Sequence, residues 1–108
     1  MAPHDKDALY SRGYVLHDKG EFDGAIADYT AAIAIDGNDG DTFYSRALSY
    51  QAKGDLDHAI ADYTTVIRLK PDFPNAYHNR AVAYRQKGDM ADANKDEAEY
   101  QRLSHKGG

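Results

Sequence analysis

The stretch DTFYSRALSYQAKGDLDHAIADYTTVIRLKP, residues 41–71, decides the fold. In its first half, Phe43, Ala47 and Tyr50 recur at the spacing of one helix face. In its second half, residues 56–69 again carry apolar side chains at helical spacing, and a proline follows. The stretch therefore predicts two helices joined by a short turn.

The turn between these two helices is Lys53-Gly54-Asp55. Gly54 can adopt the left-handed conformation that ends a helix, and Lys53 complements the negative end of the helix dipole. Asp55 is a good N-cap for the second helix, and Pro71 ends it. We expect Gly54→Val to lower stability, because a β-branched residue resists the left-handed conformation.

The same pattern recurs every 34 residues, with glycine at 20, 54 and 88. Residues 6–39, 40–73 and 74–107 are therefore three units; the first two share 14 of 34 residues and the last two share 10 of 34. Each unit predicts two helices, which we place at 7–19, 22–35, 41–53, 56–69, 74–87 and 90–103.

This period and its marker residues resemble the tetratricopeptide repeat (TPR) family. The markers are a small residue, an apolar residue three positions later, the turn glycine, and an alanine and an aromatic in the second helix. The small residues are Gly13, Ala47 and Ala81, and the residues three positions later are Leu16, Tyr50 and Tyr84. The alanines of the second helix are Ala25, Ala59 and Ala93, and its aromatic residues are Tyr29 and Tyr63. The terminal proline is Pro71. The resemblance implies an all-α fold, a right-handed superhelical array of three helix-turn-helix units, or α-solenoid. Gly37 and Glu97 depart from the pattern.

The second helix of the third unit has a polar face. Asn94, Glu97 and Gln101 stand where the first two units carry isoleucine or tyrosine. A terminal repeat needs a polar outer face, so we predict that helix 90–103 caps the array. The alternative is sequence drift in a fragment of a longer array. We expect residues 104–108 to fray.

Composition excludes several classes of function. The chain has 13 Lys plus Arg against 18 Asp plus Glu, a net charge of −5, which disfavours generic nucleic-acid binding. It has no cysteine, its apolar runs are too short to span a membrane, and residues 1–7 show no signal peptide. We therefore expect a cytoplasmic protein.

No catalytic, metal or cofactor motif is evident, so we predict neither an enzyme nor a bound cofactor. The five histidines are scattered, and a zinc site needs several N or S ligands close together. The segment Asp36–Asp41 lacks the glycine and glutamate positions of a calcium loop, which favours a turn between units.

Arginine and aspartate recur together: Arg12, Arg46 and Arg80 each precede an aspartate, Asp28, Asp62 and Asp96, by the same offset. The arginines alone suggest an anion-binding ladder. Their fixed offset from the aspartates favours an ion pair within each unit.

The family resemblance implies that the first helix of each unit lines a concave groove. We predict that the groove binds a peptide or helix of another protein through Tyr10, Tyr14, His17, Tyr44, Leu48, His78, Asn79, Val82 and Arg85. Tyrosine suits recognition because it offers large contact area and a polar tip. For Tyr10, Tyr14 and Tyr44 the alternative is packing between first helices; we favour binding for Tyr10 and Tyr44 and expect Tyr44→Ala to weaken binding without unfolding the chain.

Some TPR co-chaperones hold a chaperone's C-terminal carboxylate with a lysine, asparagine and arginine clamp. The matching positions are Tyr10, Tyr14, Ser45, Asn75 and Asn79, and none carries a cation. We therefore predict that this chain has no such clamp. The alternative to groove binding is self-association through the array ends, near Ala8, Leu9 and Val15.

Overall fold

The computed structural model describes residues 5–105, which form six α-helices and, within that range, no β-strand. The helices are α1 Lys6–Asp18, α2 Phe22–Ile35, α3 Gly40–Ala52, α4 Leu56–Leu69, α5 Pro74–Lys87 and α6 Met90–Ser104. They pair as three helical hairpins, so the all-α prediction is confirmed. The last two residues of the predicted third unit lie outside the described range.

Helices α1 and α3 each begin one residue earlier than predicted. The reason is their capping: the carboxylates of Asp5 and Asp39 accept hydrogen bonds from the backbone N–H groups of Asp7 and Asp41, at 2.8 and 3.1 Å. At the other end of the chain, α6 includes Ser104. The predicted fraying is therefore wrong for that residue, while residues 106–108 lie outside the described range.

The turn within each hairpin depends on glycine. Gly20, Gly54 and Gly88 have φ of 79°, 88° and 90°, in the left-handed region that side chains with a Cβ resist. This confirms the conformation predicted for Gly54. Between units, the segment after Asp36 forms a turn as expected, and Asp39 caps α3.

Small residues let the two helices of a hairpin approach closely. Ala47 on α3 and Ala59 on α4 are fully buried, and they pack with the buried ring of Tyr63. Tyr29 has the same role in the first hairpin, where it is 1% exposed. Burial of this aromatic area is a main source of stability for the first two units.

The predicted ion pairs form in all three hairpins. In the middle one, the guanidinium of Arg46 donates to both carboxylate oxygens of Asp62 at 2.8 Å. Arg12 with Asp28, and Arg80 with Asp96, have the same two-bond geometry. This geometry satisfies an aspartate that is almost fully buried, which confirms the ion pair rather than the anion-binding ladder.

Each unit packs on the next one, α2 on α3 and α4 on α5. The resulting array is elongated, with dimensions of 45 × 30 × 20 Å. None of the helices between residues 5 and 105 combines the length and the apolar character needed to cross a membrane.

Candidate functional site

The first helices of neighbouring units are joined by tyrosine hydroxyl groups. The Tyr10 hydroxyl lies 2.8 Å from Ser45 Oγ, and the Tyr44 hydroxyl accepts a hydrogen bond of 2.6 Å from Asn79 Nδ2. Both contacts span 35 residues, so they are one interaction repeated at the two unit boundaries. Two of the predicted site residues, Tyr44 and Asn79, thus bind each other.

The rings of these tyrosines pack on aromatic residues behind them. Tyr10 lies 5.5 Å from Tyr29, and Tyr44 lies 5.9 Å from Tyr63 and 5.0 Å from Phe73, measured between ring centroids. Tyr10 and Tyr44 thus pack their rings on aromatic residues of the second helices, while their hydroxyl groups reach the first helix of the next unit.

A small open cavity of about 40 Å³ lies between α1 and α3. Three predicted site residues line it, Tyr14, His17 and Leu48, together with Ser45 and Tyr29. Tyr14 is 55% exposed, so it is the tyrosine of this surface that is most accessible to a ligand. We refer to this space as the α1–α3 cavity.

His17 is held in place at one side of the α1–α3 cavity. Its Nδ1 atom lies 2.8 Å from Ser49 Oγ on α3, and its ring packs edge-on against Phe22 at 5.1 Å. A ring fixed on two sides loses little freedom when a ligand binds, which favours affinity.

The ring of Tyr29 lines the cavity from α2. Burial raises the pKa of its phenol to about 12, so the group stays neutral at physiological pH. In the sequence, Tyr29 was identified only as an aromatic marker of the repeat, and its contact with the cavity was not predicted. A signal existed in Gly13, which stands where the other units carry alanine: a Cβ atom there would lie 2.7 Å from Tyr29 Cε1.

The third unit presents different chemistry at the position of Tyr10 and Tyr44. His78 stands there, with its ring 4.9 Å from Tyr100 and its Nδ1 atom 3.7 Å from a carboxylate oxygen of Glu97. That Nδ1 atom is buried and has no hydrogen-bond partner among residues 5–105. Arg85 also reaches Glu97, at 3.3 Å. Glu97 was interpreted as a departure from the repeat and as part of the polar face that caps the array, and its contact with two predicted site residues was missed.

Seven of the nine predicted residues fall into three groups along α1, α3 and α5, and Tyr10 lies beside the first group through its contacts with Ser45 and Tyr29. The first surrounds the α1–α3 cavity, the second is the Tyr44–Asn79 contact, and the third surrounds Glu97. Val82, on α5, is half-buried. Across residues 5–105, no cluster of three His, Asp or Glu side chains is positioned to hold a metal ion.

Comparison with known proteins addresses the family. A profile of the TPR repeat matches residues 13–54 and residues 49–88. No curated protein matches the chain.

Several solved structures are similar to this fold. MamA is 30% identical with a TM-score of 0.92, and the match covers 95% of this chain and 60% of MamA. The second TPR domain of Spaghetti (RPAP3), bound to the HSP90 peptide SRMEEVD, is 26% identical with a TM-score of 0.86 and 91% of each chain covered. The Yersinia enterocolitica secretion chaperone SycD, with a peptide of the translocator YopD, is 26% identical with a TM-score of 0.87; the match covers 90% of this chain and 74% of SycD.

The chain thus spans about 60% of the length of the MamA chain that it matches. The two profile matches together cover residues 13–88, more than half of the sequence, and they coincide with hairpins whose turns, alanines and ion pairs repeat every 34 residues. The chain therefore belongs to the TPR repeat family.

Proposed function

We propose that this chain is a non-catalytic interaction module that binds a peptide or helix of another protein along α1, α3 and α5. The α1–α3 cavity is the centre of the proposed site, and it receives one apolar or aromatic side chain of the partner. Polar groups beside it, from Ser45 and His17, set the register of the bound segment.

The observation that carries this proposal is the meeting of Tyr14, His17 and Leu48 around one open cavity. These residues come from two units, and the resemblance to TPR proteins implies that all three face the groove. A cavity next to a half-exposed tyrosine has the form of an anchor site, where a few buried contacts supply most of the binding free energy.

Structural relatives support a peptide as the class of ligand. RPAP3 and SycD were each solved with a peptide of another protein. Both relatives are about a quarter identical to this chain, so they support the class of ligand and not its sequence.

The test selects short peptides from a random displayed library on the full chain and measures their affinity for two variants. Tyr14→Ala alters the cavity, and Val15→Ala is its control, because Val15 is the next residue, is 51% exposed and does not line the cavity. We expect Tyr14→Ala to weaken binding about tenfold, as for loss of an interface anchor, and Val15→Ala to leave it unchanged. Equal peptide affinity for both variants would show that the cavity is not part of the binding site.

We further propose that this surface does not clamp a C-terminal carboxylate. The clamp positions hold Tyr10, Tyr14, Ser45, Asn75 and Asn79. Three of these five, Tyr10, Ser45 and Asn79, already use their polar atoms in the hydrogen bonds Tyr10–Ser45 and Tyr44–Asn79 between units. Without a cation, charge-assisted bonds to the carboxylate are lost. Low-micromolar binding of the peptide SRMEEVD, lost when its C-terminus is amidated, would contradict this.

A further inference from the structure

The contact between the first and second units includes two polar bonds. Lys53 Nζ on α3 reaches an Asp23 carboxylate oxygen on α2 at 2.6 Å, and Arg46 Nη1 donates to Thr30 Oγ1 at 3.1 Å. Asp23 and Thr30 are seven residues apart, so they lie two turns apart on one face of α2.

The contact between the second and third units repeats both bonds. Lys87 binds Asp57, and Arg80 Nη1 donates to Thr64 Oγ1 at 3.0 Å. Asp57 and Thr64 are again seven residues apart. At each boundary between units, the first helix of the later unit thus supplies a lysine and an arginine. The second helix of the earlier unit supplies an aspartate and a threonine.

Small side chains fill the remainder of each contact. Thr42 and Ser49 on α3 are 2% and 0% exposed, and Ala76 and Ala83 on α5 are fully buried. The second helix of the preceding unit packs on this face, α2 on α3 and α4 on α5, and His17 of α1 also contacts Ser49.

Helix α1 has a face equivalent to the one that α3 and α5 pack against the preceding unit. No other helix of residues 5–105 packs on this face of α1. Ala8 and Val15 occupy the positions of the small buried residues, yet both are exposed, Val15 at 51%. The Arg12 side chain is 49% exposed, against 17% for Arg46, and Lys19, the equivalent of Lys53, is exposed. We call Ala8, Ser11, Arg12, Val15 and Lys19 the outer face of α1.

A second copy of this chain does not supply the aspartate and the threonine that would complete this contact at α1. The acceptor faces of α2 and α4 are already covered, and α6 has Ala91 and Ala98 in place of the aspartate and the threonine. Two outer faces meeting each other would offer lysine and arginine on both sides and would lack the aspartate and the threonine.

We propose that the outer face of α1 docks an amphipathic helix of another protein that carries an aspartate and, seven residues later, a threonine. The aspartate pairs with Lys19, the threonine accepts from Arg12, and apolar side chains between them cover Val15. This surface is separate from the α1–α3 cavity, so the chain can hold two partner segments at once.

The test uses a synthetic peptide of residues 55–70, DLDHAIADYTTVIRLK, which contains the required pair as Asp57 and Thr64. It is titrated into the ¹⁵N-labelled full chain. We expect amide shifts at Arg12, Val15 and Lys19, and none from a peptide with both Asp57→Ala and Thr64→Ala. Shifts confined to α3 and α5, equal binding of the two peptides, or no shift at millimolar peptide would each overturn the proposal.

A charge exchange makes the test specific for orientation. Lys19→Asp in the protein should weaken the peptide about fivefold, the scale of one exposed ion pair, and Asp57→Lys in the peptide should restore the affinity. Lys95→Asp, the same charge change at an exposed lysine of α6 outside both surfaces, should bind the peptide like the unchanged protein. Failure of the exchange would overturn the pairing. Because the cavity is tested at Tyr14 and the outer face of α1 at Lys19, failure of one proposal leaves the other distinguishable.

Discussion

Tyr29 lies against Gly13 so closely that a Cβ atom at residue 13 would be 2.7 Å from Tyr29 Cε1 and 3.0 Å from Cδ1. The second unit has Ala47 at this position and still buries its own tyrosine, Tyr63, whose hydroxyl donates to Gln51 at 2.6 Å. The glycine therefore sets where the Tyr29 ring sits, and with it the shape of the α1–α3 cavity.

Gly13→Ala should displace the Tyr29 ring. Overpacking a filled core costs about 1–3 kcal/mol, while alanine stabilises a helix interior over glycine by about 1 kcal/mol. Taking both effects together, we expect the free energy of unfolding, measured in urea, to fall by about 1 kcal/mol. The matched control is Ala47→Gly, which has no steric component. An increase in the free energy of unfolding for Gly13→Ala would contradict the packing described.

Arg46→Ala should be among the most damaging surface substitutions. The Arg46 and Asp62 side chains are only 17% and 7% exposed, and removal of the arginine leaves a buried carboxylate without its partner. We expect a loss of about 3–5 kcal/mol in the free energy of unfolding. Arg12→Ala should cost less, because that arginine is 49% exposed and water can replace it.

Arg68 provides the control for this series, since it is an exposed arginine on the neighbouring helix α4. Arg68→Ala should change stability by no more than about 0.5 kcal/mol. Equal losses for Arg12→Ala and Arg46→Ala would show that burial of the pair does not determine its contribution.

Gly54→Val should destabilise the middle hairpin through its backbone. Gly54 has φ of 88°, and no atom lies within 4 Å of a Cβ placed there, so any cost comes from conformation and not from a clash. We expect a loss of about 1–2 kcal/mol, measured by thermal unfolding. Gly37→Val is the comparison, because Gly37 has no positive φ. Equal losses at both positions would refute a conformational origin.

The ion pair between Asp57 and Lys87 should make stability depend on pH. The hydrogen bond from Lys87 holds the pKa of Asp57 below its ordinary 3.8. The unfolded chain therefore binds a proton more readily, so this contribution is present above pH 3.8 and is lost as pH falls through the lower folded pKa.

NMR titration of the Asp57 carboxyl group measures this directly. In Lys87→Met we expect the pKa of Asp57 to return toward 3.8, and the stability difference from the unchanged protein to vanish at low pH. Added salt should reduce the effect, because both groups are at the surface. An Asp57 pKa that does not respond to loss of Lys87 would rule out this pairing.

The features that were predicted correctly from the sequence are those that the 34-residue repeat determines. The Arg–Asp offset recurs three times within single hairpins, where the helix-turn-helix geometry alone determines which residues meet. The same holds for Gly54, because a helix that stops and reverses within three residues needs a left-handed residue.

The sequence could not predict contacts that depend on how one unit rotates against the next. The Tyr10–Ser45 and Tyr44–Asn79 hydrogen bonds join residues of different units, and nothing in either helix specifies the partner. Lys53 was expected to complement a helix dipole, and its bond to Asp23 was missed for the same reason. The α1–α3 cavity depends on the position of one ring, which is set by packing.

The contacts that join units have a consequence for how quickly the chain folds. Their hydrogen bonds connect residues no more than 35 positions apart, and each hairpin closes over only 16 positions between arginine and aspartate. Little chain entropy is lost before these bonds form, which is the condition for folding in microseconds to milliseconds. During synthesis, the first hairpin can therefore assemble while the third is still being translated.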